Sequence, residues 1–348
     1  MEQIEVTVVT DHDATVGGWR DGGRLLVRAA DLRAATGWER KPEGLCRGDE
    51  CVPVRDRSVD VDGGAGGAGA EPLVDLAAMA AQIRRPYAAE PSAGVAVLAR
   101  APFDVEAELA GGDAPDFTLP TLDGEPVSLH DTAGRKRLLV TFASWCGCRY
   151  DLPAWGARQE EWADQGFSVV AVALDEDPEA VRPFAEAAPG LTVLIDRDHE
   201  VAERYGMVNV PTVVWIDEDG KVARSNDAQF GDDEFVEFHG KESGPHLEAL
   251  RRWVVDGEAP VEGDAPGGSL TPTPQVAQAR AERRLAAHLL RMGEDDAAER
   301  HFARAVELAP LDFPVRRGSM PLRGQDPFGD AFFELYAEWE EVGRPYYS

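Results

Sequence analysis

Basic residues are scarce in this chain: 35 Lys and Arg stand against 64 Asp and Glu in 348 residues, a net charge of −29. So acidic a surface repels phosphate backbones and anionic lipid headgroups, which excludes nucleic acid as an expected partner and fits a highly soluble protein. Long apolar runs are missing too. No stretch of 18 or more apolar residues is available to span a bilayer. The opening MEQIEVTVVTDHDATVGGWRDGG carries acids where a signal peptide has basic residues. The expected setting is therefore the cytoplasm, with no membrane partner. There is no glycine-rich phosphate loop, Ser/His/Asp set or HExxH motif, and no cofactor or resident metal is expected. Cysteine is the last scarcity. In a reducing cytoplasm the four cysteines argue for catalytic, redox or metal-binding thiols ahead of structural disulfides.

At this length more than one domain is expected, and three segments separate on composition. Residues 1–110 open with the alternating IEVTVV, a strand pattern, and continue through RLLVRAADLRAATGW from strand to helix. They form a small α+β module, interrupted by a glycine-rich linker at 63–72. Residues 112–257 alternate strands and helices. RLLVTFAS and FSVVAVALD are continuous apolar runs, as strands buried on both faces require. TVVWIDEDGKVAR then predicts a hairpin through Asp219-Gly220, and the whole reads as α/β: a mixed sheet with helices on both faces. After a Pro/Gly-rich linker at 257–275, residues 272–348 are helical. Two helices around Gly293 resemble a single tetratricopeptide repeat; one copy has no neighbours with which to build a binding groove, so a hairpin packed on the body of the protein is expected.

The stretch APDFTLPTLDGEPVSLHDTAGRKRLLVTFASWCGCRYDLPAW, with YGMVNVPTVVWIDEDGKV downstream, resembles thioredoxin-like redoxins of the TlpA/ResA and AhpC/TSA type over about 112–257. The marks are Pro115-Asp116-Phe117, the LDG turn, Trp145-Cys146 at a strand end, Cys148-Arg149 followed by Asp151 and Pro153, and Val210-Pro211-Thr212. The resemblance implies a thioredoxin-like fold and thiol–disulfide oxidoreductase or thiol peroxidase chemistry. It also implies site residues Trp145, Cys146, Cys148, Arg149, Asp151 and a cis Pro211 facing the cysteines. The implied partners are a protein or small-molecule thiol or disulfide, a hydroperoxide as alternative oxidant, and an external thiol reductant.

The residues support the same chemistry directly. A cysteine at a strand-to-helix junction meets free backbone N–H groups and the positive helix end, which favour the thiolate that attacks in exchange. A second thiol nearby resolves the product. Only Gly147 separates the two cysteines, where this family usually has two residues. Residues i and i+2 of a helix point about 200° apart, so the pair cannot be both helical and bonded, and a strained, oxidising disulfide is expected. The competing readings are a buried structural pair, a thiolate carrier of Cu(I) or Zn, for which His130 and His199, expected at the surface, are poorly placed, and a non-catalytic scaffold whose helical tail recruits a partner. Cys46 and Cys51 flank a Gly-Asp turn and are either an accessory redox pair, relaying to Cys146/Cys148, or a structural element of that turn. Glu160 and Glu161 belong to the helix after the site, and Trp155 and Trp162, seven apart, share a buried face.

Overall fold

The computed structural model describes residues 1–11, 13–61, 72–110, 112–260 and 272–343. The linkers expected at 63–72 and 257–275 lie, for residues 63–71 and 261–271, outside the described residues. Among those described, no helix is long and apolar enough to cross a membrane. The chain forms two compact units: Met1–Pro102 with Thr273–Pro310, and Phe103–Pro272 with Leu311–Ser348. The helical stretch 272–348 is thus shared between the two, because its first helix pair and its tail pack on different sheets.

In the first unit, seven described strands form one sheet in the order Asp60–Val61, Leu73–Asp75, Arg24–Arg28, Ala14–Asp21, Glu2–Val9, Val95–Leu98, Tyr87–Glu90. Only Glu2–Val9 and Val95–Leu98 pair in parallel. The alternation read in IEVTVV is real: Val6 and Val8 point into a core with Leu25, Val27, Trp38 and Met79. The helix pair Pro274–Arg291 and Asp295–Leu308 turns at Gly293, whose φ of +81° suits glycine. It covers the Tyr87 edge strand. Gln278 accepts from the Tyr87 N–H at 3.2 Å and donates to its carbonyl at 2.7 Å, satisfying backbone groups that an open edge would leave unpaired.

The second unit is built on a five-stranded mixed sheet of β1 (Lys136–Phe142), β2 (Phe167–Ala173), β3 (Thr192–Ile195), β4 (Thr212–Ile216) and β5 (Val222–Asp227), ordered β3-β2-β1-β4-β5. β1, β2 and β3 run parallel; β4 and β5 are antiparallel additions. This is the thioredoxin-like arrangement the resemblance implies. Both faces are buried, which is why the strands read as unbroken apolar runs. Leu138, Val140, Val213 and Trp215 face one layer with Trp155, Trp162 and Trp253, while Leu139 and Val214 face the other with Phe117, Leu152 and Tyr205. The helices that position the site and cover the sheet include α1 (Leu152–Glu161), α2 (Pro178–Glu186), α3 (Glu200–Arg204) and α4 (Gly244–Arg251). The β4–β5 hairpin turns at Gly220 (φ +81°), as Asp219-Gly220 predicts. The tail adds a turn at Phe313–Arg316 and a helix at Asp330–Glu341.

Candidate active site

β1 ends at Phe142, and Ser144 is pinned beyond it: its N–H donates to Asp175 Oδ2 at 2.9 Å and its hydroxyl to the other oxygen of that carboxylate. Trp145 is buried, with its indole N–H donated to the Leu174 carbonyl at 3.1 Å. These two anchors, both to the segment following β2, fix the chain where it delivers Cys146.

Cys146 is extended (φ −119°, ψ 147°) and caps the 3-10 turn Gly147–Asp151 that leads into α1. It lies outside the helical turn and Cys148 within it, so the helix-geometry conflict of an i, i+2 pair does not arise. Both are free thiols, 9% and 5% exposed. The Cys148 N–H donates to the Cys146 sulfur at 3.4 Å. The Cys146 sulfur also lies 3.7 Å from the Val210 carbonyl, immediately before Pro211, whose peptide bond is cis as expected. Thr212 is tied to β1 by its carbonyl, which accepts from the Thr141 hydroxyl at 3.1 Å, so the Val-Pro-Thr segment is held against the thiols.

The two thiols are electrostatically unlike. The Cys146 thiol is lowered to about 7, chiefly because the Cys148 S–H donates to it; burial opposes, and Arg317, the Cys148 N–H and Arg149 add to the lowering. Cys148 is raised well above the ordinary thiol range by burial, by holding its proton toward Cys146, and by the nearby charges of Cys146 and Asp151. Asp151 is buried, unlike the exposed Glu160 and Glu161 on the same stretch. Burial, then the charges of Asp232 and Cys146, push it up to about 8, against backbone N–H bonds from Gly231 and Asp232. Gly231 is required there: a Cβ would sit 2.8 Å from the Ala154 Cβ and 2.9 Å from the Asp151 carbonyl oxygen.

Arg149 donates to the Ser144 carbonyl and, at 3.1 Å, to the Tyr150 hydroxyl; its guanidinium lies 4.8 Å from the Phe184 ring centre and 4.4 Å from that of Phe328. Phe235 lies over Gly147 and beside Tyr150, with ring centres 5.9 Å apart. The structure therefore brings Trp145, Cys146, Cys148, Arg149, Asp151 and Pro211 together. Trp145 serves to pack and Arg149 to supply charge.

Cys46 and Cys51 face each other across a β-hairpin of the first unit and are disulfide-bonded. Glu43 is the third ligand-type side chain near them, but the two sulfurs are bonded to each other. His130 is exposed as expected. His199 is instead buried, because it sits at the N-terminal end of α3 under the β3 end, its N–H on the Asp196 carbonyl at 3.2 Å. Arg317, Phe328, Phe235 and Asp175 belong to the site without being legible in the sequence; Arg317 and Phe328 lie far along the chain from Cys146 and carry no local motif.

The redoxin family model matches residues 109–237. Among curated proteins, the thioredoxin-like protein YneN of Bacillus subtilis is 39% identical over 117 residues, 32% of this chain and 68% of the relative. The thiol-disulfide oxidoreductase ResA of Geobacillus thermodenitrificans is 35% identical over 117 residues, 33% of this chain and 67% of its own. ResA of Bacillus subtilis is 30% identical over 116 residues, and the match spans 65% of its length. Among solved structures, a putative thiol:disulfide interchange protein DsbE from Chlorobium tepidum is 37% identical with a TM-score of 0.31, covering 33% of this chain and 82% of that one.

Proposed function

The chain belongs to the redoxin family of thiol–disulfide oxidoreductases, and from that premise we propose that Cys146 and Cys148 are its exchange pair, Cys146 attacking and Cys148 resolving. The observation that carries the assignment is the Cys148 N–H directed at the Cys146 sulfur at 3.4 Å, with Cys146 at the head of the turn. A negative sulfur is stabilised there, and thiolate is the nucleophile of exchange.

The Cys146 thiolate attacks one sulfur of a substrate disulfide, forming a mixed disulfide and releasing the other substrate sulfur as thiolate. Cys148 then loses its proton, attacks Cys146, and releases the second substrate thiolate. The substrate is reduced by two electrons and the pair becomes a disulfide. Two equivalents of an external thiol reduce it again and end as their own disulfide; a cytoplasmic location would supply such a thiol. Asp151 sits where a proton acceptor for Cys148 is needed, buried and with its Oδ2 unpaired among the described residues. A hydroperoxide is the alternative oxidant: Cys146 takes its terminal oxygen as sulfenic acid, the alcohol leaves, and Cys148 condenses with loss of water. Thiolate metal carriage has less support, since among the described residues no third ligand side chain gathers at Cys146 and Cys148.

The test is turnover of insulin disulfide and of cumene hydroperoxide by the full chain with dithiothreitol as reductant. Loss of both in Cys146→Ser is expected. Turnover that survives this change would overturn the assignment.

A further inference from the structure

The redoxin match ends at residue 237, yet a cation acting on Cys146 lies outside that match, in the tail. Three contacts fix the tail on the redox unit. Gly318 lies against Trp145, so closely that a Cβ there would stand 3.1 Å from the indole ring and 2.4 Å from the Pro314 carbonyl oxygen. Phe328 covers Arg149, with the guanidinium carbon 4.4 Å from the ring centre. Tyr336 stacks on Phe238 at 4.5 Å and donates its hydroxyl to the Phe238 carbonyl at 3.0 Å.

Arg317 precedes the glycine that abuts Trp145. Its side chain is turned inward and 6% exposed, with the guanidinium 3.7 Å from the centre of Phe332 and 4.9 Å from that of Phe328. Its Nε donates to the Pro327 carbonyl at 2.9 Å. Among the described residues no carboxylate is paired with it, and the negative charges acting on it are the two cysteine sulfurs. A buried guanidinium without a counter-charge is costly, and burial correspondingly lowers its hold on its proton. Phe328 lies within cation–π distance of both Arg317 and the second cation, Arg149.

We propose that Arg317 is a positioning residue of the redox centre, its buried guanidinium serving as the fixed counter-charge of the Cys146 thiolate, so that the tail after residue 310 completes the site. The proposal rests on Cys146 being the attacking thiol. The other groups facing that thiol are Cys148, Arg149 and Asp151; of these, Arg149 is the only other cation.

The test uses the full chain with Arg317→Met, which keeps length and apolar contact, and Arg317→Lys, which keeps charge. The readout is the pH dependence of Cys146 alkylation by iodoacetamide, followed by peptide mass, with near-ultraviolet circular dichroism to establish folding. Wild type is expected to titrate near 7. R317M is expected to move the midpoint up by about one unit, a ~10-fold loss of alkylation rate at pH 6, with R317K within about twofold of wild type. A folded R317M with the wild-type profile overturns the proposal. If R317M does not fold, R317K decides: a folded R317K shifted upward by a full unit overturns it as well. Insulin turnover in Cys146→Ser is measured alongside. Its survival would remove the redox assignment itself, whereas an unshifted R317M with normal turnover removes only the role of Arg317.

Discussion

The backbone N–H of Cys148 donates to the sulfur of Cys146 across 3.4 Å, so the thiol proposed to resolve the exchange belongs to the residue that holds the thiol proposed to begin it. The Cys148 S–H reinforces this, and the two thiols titrate in opposite directions from the ordinary range.

Replacing Cys148 with alanine keeps the N–H and removes the S–H. The Cys146 midpoint is expected to rise from about 7 by roughly one unit, with a ~10-fold slower alkylation at pH 6. The same variant is expected to accumulate a mixed disulfide with substrate, visible as an added mass on the Cys146 peptide. An unchanged midpoint would mean that the S–H contributes nothing to the thiolate.

A stabilised thiolate favours the reduced state of the pair. A Cys146 value of about 7 is that of thioredoxin's attacking thiol, so the reduction potential is expected near thioredoxin's, about −270 mV, and to fall below it when Arg149 and Arg317 lose their charge. Equilibration with glutathione and mass analysis of the Cys146–Cys148 peptide measures it. A value more than about 60 mV above that of thioredoxin would contradict the expectation.

Asp151 links the site to pH. Its folded value is about 8, while an unfolded carboxyl titrates near ~4, so across that interval the folded chain holds a proton that the unfolded chain has released. Its stabilising contribution is complete below pH ~4, declines as pH rises at up to about 1.4 kcal/mol per unit, and levels off above about 8. Asp151→Asn is expected to flatten that slope, matching wild type near pH 4 and exceeding it in stability near pH 8, by urea unfolding of the full chain. The same change is expected to slow resolution of the mixed disulfide by about 100-fold in rapid-quench measurements above about pH 8, where folded Asp151 is ionised and able to accept the Cys148 proton, and by less at lower pH, where it already holds its own.

The Cys46–Cys51 disulfide closes a short hairpin within the first unit. Serine at both positions is expected to lower the stability of that unit by about 2 kcal/mol through the loop entropy released to the unfolded chain. Turnover of insulin with an external thiol is expected to stay within about twofold of wild type. A larger loss of turnover in a folded double variant would favour a relay through this pair over its structural role.

The sheet of the second unit was legible because its strands are buried on both faces: RLLVTF and FSVVAVA have no polar alternation to confuse with a helix. The site was legible in its short-range part, where Trp145-Cys146-Gly147-Cys148 and Val210-Pro211-Thr212 are motifs of a few residues each. Asp151 could be named from its position, but not its burial, which comes from Gly231 closing over it. Arg317 was illegible for a different reason. An amphipathic turn such as FPVRRGSM declares that one side is covered without declaring what covers it, and the same holds for the helix pair that settles on the Tyr87 strand. Burial of His199 was illegible because its neighbours in DRDHEVAER are mostly charged and suggest solvent, whereas His199 is buried at the head of α3.

The order of the units along the chain has a bearing on how the molecule is cut. The first unit is interrupted by the second between residues 102 and 273, and the second by the first between 272 and 311. Each is threaded through the other's sequence, so no single scission of the backbone yields either one whole. A fragment ending at residue 272 strips the first unit of its edge cover and the second of Arg317 in one stroke. Dissection of this protein therefore calls for side-chain substitution in place of truncation.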